Sequence, residues 1–390
     1  MKSSTVLISG ASIAGPALAY WLARHGFRPT VVELAPALRS GGNRVDFRGQ
    51  THLGVLERMG VLDDLRKVQT GGTAMRFVDA KGRKLMEVPA DFAGGDIEVP
   101  RFDLSRVLYE QTRNSTDYLF GDSIAAMTDT STGVDVTFTS GIRRTFDLVI
   151  GADGVHSAVR RLAFGPEEGF VRHLGYYVAT WEMPNDLGLS RHSLLHNSPG
   201  RMASIGGDHR DPSRAGAFVV FAAPPLDYDR HEPDQQRGII GERFADMGWE
   251  VPRLLAGLRD TPHFYFDSIC RVDVPTWSRG RIALVGDAAC GATLGAMGTG
   301  TAIVAAYALA GELAAADGDH TVAFPRYERL LADFARRCQK GGDTTGRFFA
   351  PRTAVAARWR NRLLNQPFLM AMMLRTAEDR STNIELPSYP

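Results

Sequence analysis

The sequence predicts an α/β fold: a doubly wound parallel sheet whose chain is interrupted by an antiparallel-sheet domain and completed by C-terminal helices. Two observations predict it. Short apolar, β-rich runs at 5–9 (TVLIS), 147–150 (DLVI) and 281–286 (RIALVG) each lead into a glycine, the pattern of strands buried on both faces. Between the second and third runs, residues 166–275 change character. Aromatic and alternating apolar positions such as Tyr176, Tyr177, Trp181 and the AGAFVVFAA segment at 215–223 are separated by loops rich in Pro, Asp, Arg and His, which reads as an antiparallel sheet.

The first unit is the most legible. TVLIS is a strand, Gly10-Ala-Ser-Ile-Ala-Gly15 a tight turn, Pro16 to His25 a helix closed by Gly26, and PTVVE at 29–33 a second strand. A βαβ unit with a glycine-rich first turn is a Rossmann-like dinucleotide-binding arrangement. Gly10 lets the chain turn sharply, Gly15 lets helix and strand approach, and the N–H groups at the helix start can hold a pyrophosphate. Glu33 follows Gly15 at the distance suited to ribose hydroxyls. The middle glycine of the usual pattern is Ser12 here, and only a small residue fits where a backbone faces phosphate.

The segment after Glu33, with Arg39, Arg44 and Asp46, is expected to be a loop. Residues 50–68 read as helical. Short strands over 75–80 and 83–89 are joined by a turn at Lys81-Gly82, and Asp103 is expected to cap a helix that Arg101 precedes. Residues 117–146 read as a β-meander inserted in the nucleotide-binding fold, before DLVIGADGVHSAVRR rejoins the parallel sheet. Helices are expected near 234–258. The small-residue stretch CGATLGAMGTGTA at 290–302 leads into a long helix from Ile303 to Ala315. The expected organisation is a nucleotide-binding domain over 1–165, a substrate domain over 166–275, a return over 276–316 and C-terminal helices over 317–390.

With 390 residues, 44% hydrophobic and 23% charged, the composition is that of an ordinary globular protein. A formal net charge of +1 gives no strong pull on nucleic acid or acidic membrane, so neither is an expected partner. Cys270, Cys290 and Cys338 are too scattered for a metal site or disulfide framework. No signal-like segment precedes the first strand and no run is long enough to span a bilayer. The expectation is a cytoplasmic monomer or homodimer with no metal.

Three distant stretches line up: Gly10–Gly15 with Glu33, Asp153-Gly154-Val-His-Ser157-Ala-Val-Arg160, and Arg281-Ile-Ala-Leu-Val-Gly286-Asp287-Ala-Ala. In this order the chain resembles the single-component (group A) FAD-dependent aromatic hydroxylases, the para-hydroxybenzoate hydroxylase-like family, over essentially residues 1–315. LRSGGNRVD and VPRFDLSRVLYE bring it closest to the tetracycline-inactivating monooxygenases. The resemblance implies FAD as cofactor, and NAD(P)H and O2 as co-substrates. One oxygen atom would be inserted into an aromatic or polycyclic small molecule through a flavin C4a-hydroperoxide. It assigns Gly10, Ser12, Ala14, Gly15 and Glu33 to the ADP half of FAD. Asp46 and Arg101 match FAD-contacting positions, and Arg39 one implicated in NADPH binding. Asp153 and Gly154 belong to a fingerprint for both nucleotides, Gly286 and Asp287 to the ribityl site, and Gly298 and Thr299 to a helix start aimed at the flavin.

That helix has a physical reason of its own. Reduced flavin carries negative charge at its pyrimidine end, where unpaired N–H groups and a positive dipole end are favourable. The chain departs from the family beside the ring. Cys290 stands where His is frequent, Ala296-Met297-Gly298 replaces Gly-Gln-Gly, and 291–296 lack a proline. Cys290 reads as a small buried residue, with a covalent flavin anchor or nucleophile as the sharper alternative. No catalytic base is assigned: the chemistry is the flavin's, and His192, His196 and His209 read as surface or structural. Trp181, Met202, Phe218 and Phe221 are candidate pocket walls or plain sheet core. The competing readings are a flavin reductase or dehydrogenase, a halogenase on the same fold, and a non-catalytic nucleotide sensor.

Overall fold

Strand Thr5–Ser9 lies inside a six-stranded sheet ordered Ser278–Arg279, Ile282–Leu284, Leu148–Gly151, Thr5–Ser9, Arg28–Glu33, Asp117–Phe120. All its pairings are parallel except the one at the Ser278–Arg279 edge. The computed structural model describes residues 4–38, 44–90, 94–208, 210–262, 264–294, 297–372 and 384–389. Val6, Leu7, Ile8, Val149, Ile150 and Ala283 are fully buried. The strands read as unbroken apolar runs because helices shield the sheet. Helix Ala14–Arg24 packs against the long helix Gly298–Ala315, with Trp21 edge-on to Tyr307 at 4.9 Å.

Several expectations shift by a few residues. The long helix begins at Gly298, the start the resemblance implies, and not at Ile303 where its apolar run begins. Arg44–Phe47, expected in a loop, is a strand paired antiparallel with Ile97–Pro100. Asp117–Phe120 is not part of a meander but the parallel edge of the main sheet, and only residues 124–146 form the separate three-stranded sheet. Helix Arg101–Thr112 is preceded by Pro100 rather than capped by Asp103. Asp103 is buried in its first turn and accepts from Arg210 at 2.6 Å.

The second sheet has seven strands, ordered Phe264–Val272, Val171–Pro184, Arg214–Ala222, Arg201–Gly207, His192–Ser198, Ala74–Val78, Lys84–Val88. The last two come from the N-terminal part of the chain, joined by parallel pairing of Ala74–Val78 with His192–His196. Side chains alternate between faces. Tyr177, Trp181, Ala217 and Phe221 pack with Ile240, Phe244 and Leu254 of helices Pro233–Phe244 and Val251–Asp260. Tyr176, Val178, Met202 and Val220 face the other way, with Leu294, Phe348, Phe349 and Met370.

Helix His320–Gly342 packs on the long helix, and the chain's end returns to it. Tyr389 lies on Gly311, where an added Cβ would be 2.0 Å from the ring. Its hydroxyl donates to Glu312 at 2.9 Å. Tyr307 donates to the Pro387 carbonyl at 2.8 Å.

A half-buried charge cluster joins the two sheets. His156 sits between Glu167, 3.1 Å from Nδ1, and Asp267, 3.1 Å from Nε2. Arg230 donates to Glu167 at 2.8 Å and Tyr265 to Asp267 at 3.2 Å. Burial alone lowers the imidazole pKa, but hydrogen bonds to Asp267 and Glu167 outweigh it and raise the value to about 9. Burial raises Glu167, and hydrogen bonds from His156 and Arg230 outweigh that and bring it to about 2. The His156 contribution is complete below its ordinary 6.5 and is lost as pH rises through about 9. The Glu167 contribution is complete above its ordinary 4.5 and is lost as pH falls through about 2. His156→Ala is therefore expected to destabilise by about 2–3 kcal/mol at pH 6. The gap to wild type should narrow at pH 10, read from denaturant unfolding at both values.

Candidate active site

Three segments meet at the C-terminal end of the central strands. Gly10 turns with φ +106°, and its N–H donates to the Val32 carbonyl at 2.7 Å. A Cβ on Gly15 would lie 1.9 Å from the Gly10 carbonyl oxygen, and a Cβ on Gly10 2.6 Å from that of Ala152. Gly286 meets the Ala14 and Ala302 methyl groups, each 3.2 Å from where its own would be. Glu33 accepts from the Ala11 N–H at 2.9 Å and the Ala35 N–H at 3.0 Å.

Arg101, the first residue of its helix, donates to Ser12 Oγ at 3.1 Å. Its charge also acts on Asp287. Asp287 in turn adjoins Gly298, where a Cβ would be 2.9 Å from Oδ1. Ser12, Arg101, Asp287 and Gly298 thus enclose one cleft. Burial raises the Asp287 carboxyl pKa and the Arg101 guanidinium opposes it. Among the described residues no protein donor is recorded at this carboxylate, which leaves an acceptor facing a cradle that only glycine leaves open. A cation, an unpaired helix N-terminus and a free carboxylate suit the pyrophosphate and ribityl hydroxyls of FAD.

The remaining expected site residues fall differently. Asp153 is turned inward: Ser157 donates to it, Ser9 does so at 3.2 Å and the Val159 N–H at 3.1 Å. It braces the Gly154 turn, where φ is +79°. Asp46 is ion-paired with Arg48 at 2.7 Å. Thr299 lies in the first turn of the long helix. Arg39 lies outside the described residues, as do His209, Gly295 and Ala296. Burial raises the Cys290 thiol far above its usual range, so it carries no thiolate to act as a nucleophile. His196 Nδ1 is 3.2 Å from the Val78 carbonyl oxygen, with its ring beside Trp249.

Other residues of the site escaped sequence reasoning. Arg160 is fully buried and donates to the Ala288 carbonyl at 3.0 Å and the Val155 carbonyl at 2.5 Å, tying the second fingerprint to the third. Its place in the Asp153–Arg160 motif was the available signal. Arg44, whose charge the sequence offered to a nucleotide or flavin, instead donates to Thr73 Oγ1 at 2.7 Å and the Gly207 carbonyl at 3.3 Å, tying strand Arg44–Phe47 to the seven-stranded sheet. His52 is fully buried against Gly300. Its Nδ1 accepts from the Arg48 N–H at 3.1 Å, so the neutral ring carries its proton on Nε2. Burial lowers its pKa to about 4. Of the four candidate walls, Met202 and Phe218 share the face that meets Leu294, whereas Trp181 and Phe221 lie on the helix-covered face.

Two outcomes follow from this geometry. Asp287→Ala should weaken FAD binding by about 1–3 kcal/mol, measured by flavin-fluorescence titration; unchanged affinity would remove Asp287 from the site. Met297 precedes the cofactor helix in left-handed backbone at φ +51°. Met297→Gly should release the strain and raise stability by up to about 1 kcal/mol, read from thermal unfolding with flavin bound.

Residues 3–323 match the FAD binding domain family. A flavin-dependent monooxygenase of Legionella longbeachae is 36% identical over 394 residues, covering 100% of this chain and 99% of the relative. An uncharacterized protein of Mycobacterium tuberculosis is 43% identical over 342 residues, 86% of this chain and 91% of the other. The crystal structure of the tetracycline destructase Tet(51) aligns at a TM-score of 0.87 and 33% identity, over 99% of this chain and 100% of that one. HpxO of Klebsiella pneumoniae, complexed with FAD and uric acid, shares the fold at a TM-score of 0.75 and 21% identity, over 96% of both chains. The chain is thus matched along nearly its whole length, and it belongs to the FAD binding domain family as an FAD-dependent monooxygenase.

Proposed function

We propose that the enzyme consumes NAD(P)H and O2 and inserts one oxygen atom into an aromatic or polycyclic small molecule. The observation that carries this reading is the apolar sheet face beside the cofactor helix. Thr293 donates to the Ser268 carbonyl at 2.9 Å and accepts from the Cys270 N–H at 3.1 Å, pinning the segment before Gly298 to the substrate sheet. Leu294 then joins the buried Met202 and the partly buried Phe218, Phe348 and Phe349 in one apolar group. Flat aromatic walls suit a flat ring system. Tet(51) is named for tetracycline, and only the polycyclic class is carried over to this chain.

FAD, when bound, would supply the redox chemistry, namely hydride acceptance from NAD(P)H and activation of O2. The chain's own residues bind, orient and exclude water. Arg101, Ser12 and the start of helix Ala14–Arg24 hold the pyrophosphate, and Asp287 accepts ribityl hydroxyls. The N-terminus of Gly298–Ala315 offers unpaired N–H groups to the negative end of the ring. His52 stays neutral beside that turn at working pH, so the favourable potential there comes from the helix and not from a titrating side chain. The phenylalanine walls keep bulk water from the reacting centre.

Purified enzyme should oxidise NADPH faster in the presence of a turned-over aromatic and place label from isotopic O2 in the product. NADPH oxidation without label incorporation would instead mark a reductase. Phe218→Ala should raise KM for such a substrate about tenfold or more while leaving flavin content unchanged.

A further inference from the structure

Helix Ala354–Leu364 presents its side chains in an unusual sense. Its inward face carries Arg360, which lies 4.2 Å from the Phe77 ring centroid and donates to Asn197 Oδ1 at 2.8 Å. Leu364 packs there too. Its outward face carries an apolar stripe one turn apart: Val355, Trp359 and Leu363, 57%, 60% and 47% exposed. Phe368, just beyond the helix end, is 77% exposed. A surface helix normally buries such a stripe and exposes its cations. Large exposed apolar side chains in a row mark a contact surface rather than ordinary surface scatter.

The charge around the stripe says what kind of contact. Arg358 and Arg362 line the same face as Val355 and Trp359. From residue 344 to 377 the sequence contains Arg347, Arg352, Arg358, Arg360, Arg362 and Arg375 and no Asp or Glu. The net charge of +1 for the whole chain hides this local excess. A second copy of the chain related by a two-fold axis would set this cationic patch against itself, which is unfavourable. An anionic surface with an apolar interior satisfies both features at once.

We propose that this face is a peripheral docking surface for an anionic lipid membrane. Trp359, Leu363, Val355 and Phe368 enter the boundary between headgroups and acyl chains, and Arg358 and Arg362 meet lipid phosphates. No helix among the described residues is long and apolar enough to cross a bilayer, so the association lies in the interfacial plane.

The test uses the full-length, FAD-loaded protein with vesicles of phosphatidylcholine alone or mixed with phosphatidylglycerol. Trp359 is a built-in probe, because Trp21, Trp181 and Trp277 are buried and Trp249 is half-buried. The protein should co-sediment with the phosphatidylglycerol vesicles at low salt and be released by high salt. Its tryptophan emission should shift to the blue on binding. The double variant R358E/R362E should bind roughly tenfold more weakly or worse, and Trp359→Ala should lose the blue shift. Both should keep their flavin and their vesicle-free NADPH oxidation. Failure to bind anionic vesicles at low salt overturns the proposal. So does equal binding to both vesicle types, or a stable dimer in sedimentation equilibrium that Trp359→Ala dissociates, which would make the face an interface between copies.

Discussion

A missing methyl group holds this molecule together. The Gly10 carbonyl oxygen occupies the space where a Cβ on Gly15 would stand, 1.9 Å away. Helix Ala14–Arg24 can therefore descend onto the central strand and bring its N–H groups to the end of the sheet. The same device recurs where distant stretches meet: Gly10 against Ala152, Gly286 against Ala14 and Ala302, Gly298 against Asp287. Gly10 meets backbone from a distant strand, Gly286 two methyl groups and Gly298 a carboxylate, and an added carbon would crowd each contact. The order of the six-stranded sheet, the start of the long helix and the position of the cleft all follow from these approaches.

Charge is distributed around that geometry so that structural and ligand-facing groups do not compete. Arg160 and Asp153 are both buried, but they answer to carbonyls, hydroxyls and amides of the protein itself. Arg101 and Asp287 adjoin each other across the cleft, and the Asp287 carboxylate has no recorded donor among the described residues. A buried carboxylate without donors is costly unless a ligand supplies them. The two carboxylates of the Asp153 and Asp287 fingerprints look alike in sequence, yet one braces a turn and the other faces the ligand cleft.

Much of the first unit could be read directly, because its signals are local. A strand, a glycine turn, a helix and an acid at fixed spacing need no knowledge of the rest of the chain. The substrate sheet was legible as a type but not as an arrangement. Alternation predicts two faces, yet which face meets the cofactor depends on helices Pro233–Phe244 and Val251–Asp260 covering the other one. Trp181 and Phe221 consequently fell to the helix side and Met202 and Phe218 to the side of Leu294, Phe348 and Phe349. Phe348 and Phe349 carry no motif and reach the wall from far along the chain. Ala74–Val78 joins the sheet by pairing with a strand more than a hundred residues later, a contact no local pattern encodes. The strand Arg44–Phe47 was hidden for the same reason: its partner, Ile97–Pro100, is distant.

The seven-stranded sheet separates two demands that would conflict on one surface. Its helix-covered face is a closed core of stacked rings, with Tyr177, Phe221 and Phe266 nearly coplanar in orientation. That face fixes strand spacing and register, and a change of volume there is felt as instability. The opposite face shares the register and is closed in part by Tyr176, Val178, Met202 and Val220, but Phe218, Phe348, Phe349 and Leu294 on it remain only partly buried. Its side chains can be exchanged to suit a different ring system while the backbone that presents them stays in place. Because Thr293 locks the segment before the cofactor helix to this same sheet, such exchanges do not move the flavin site. On the proposed function, substrate choice would vary along one face of a sheet whose other face fixes its geometry.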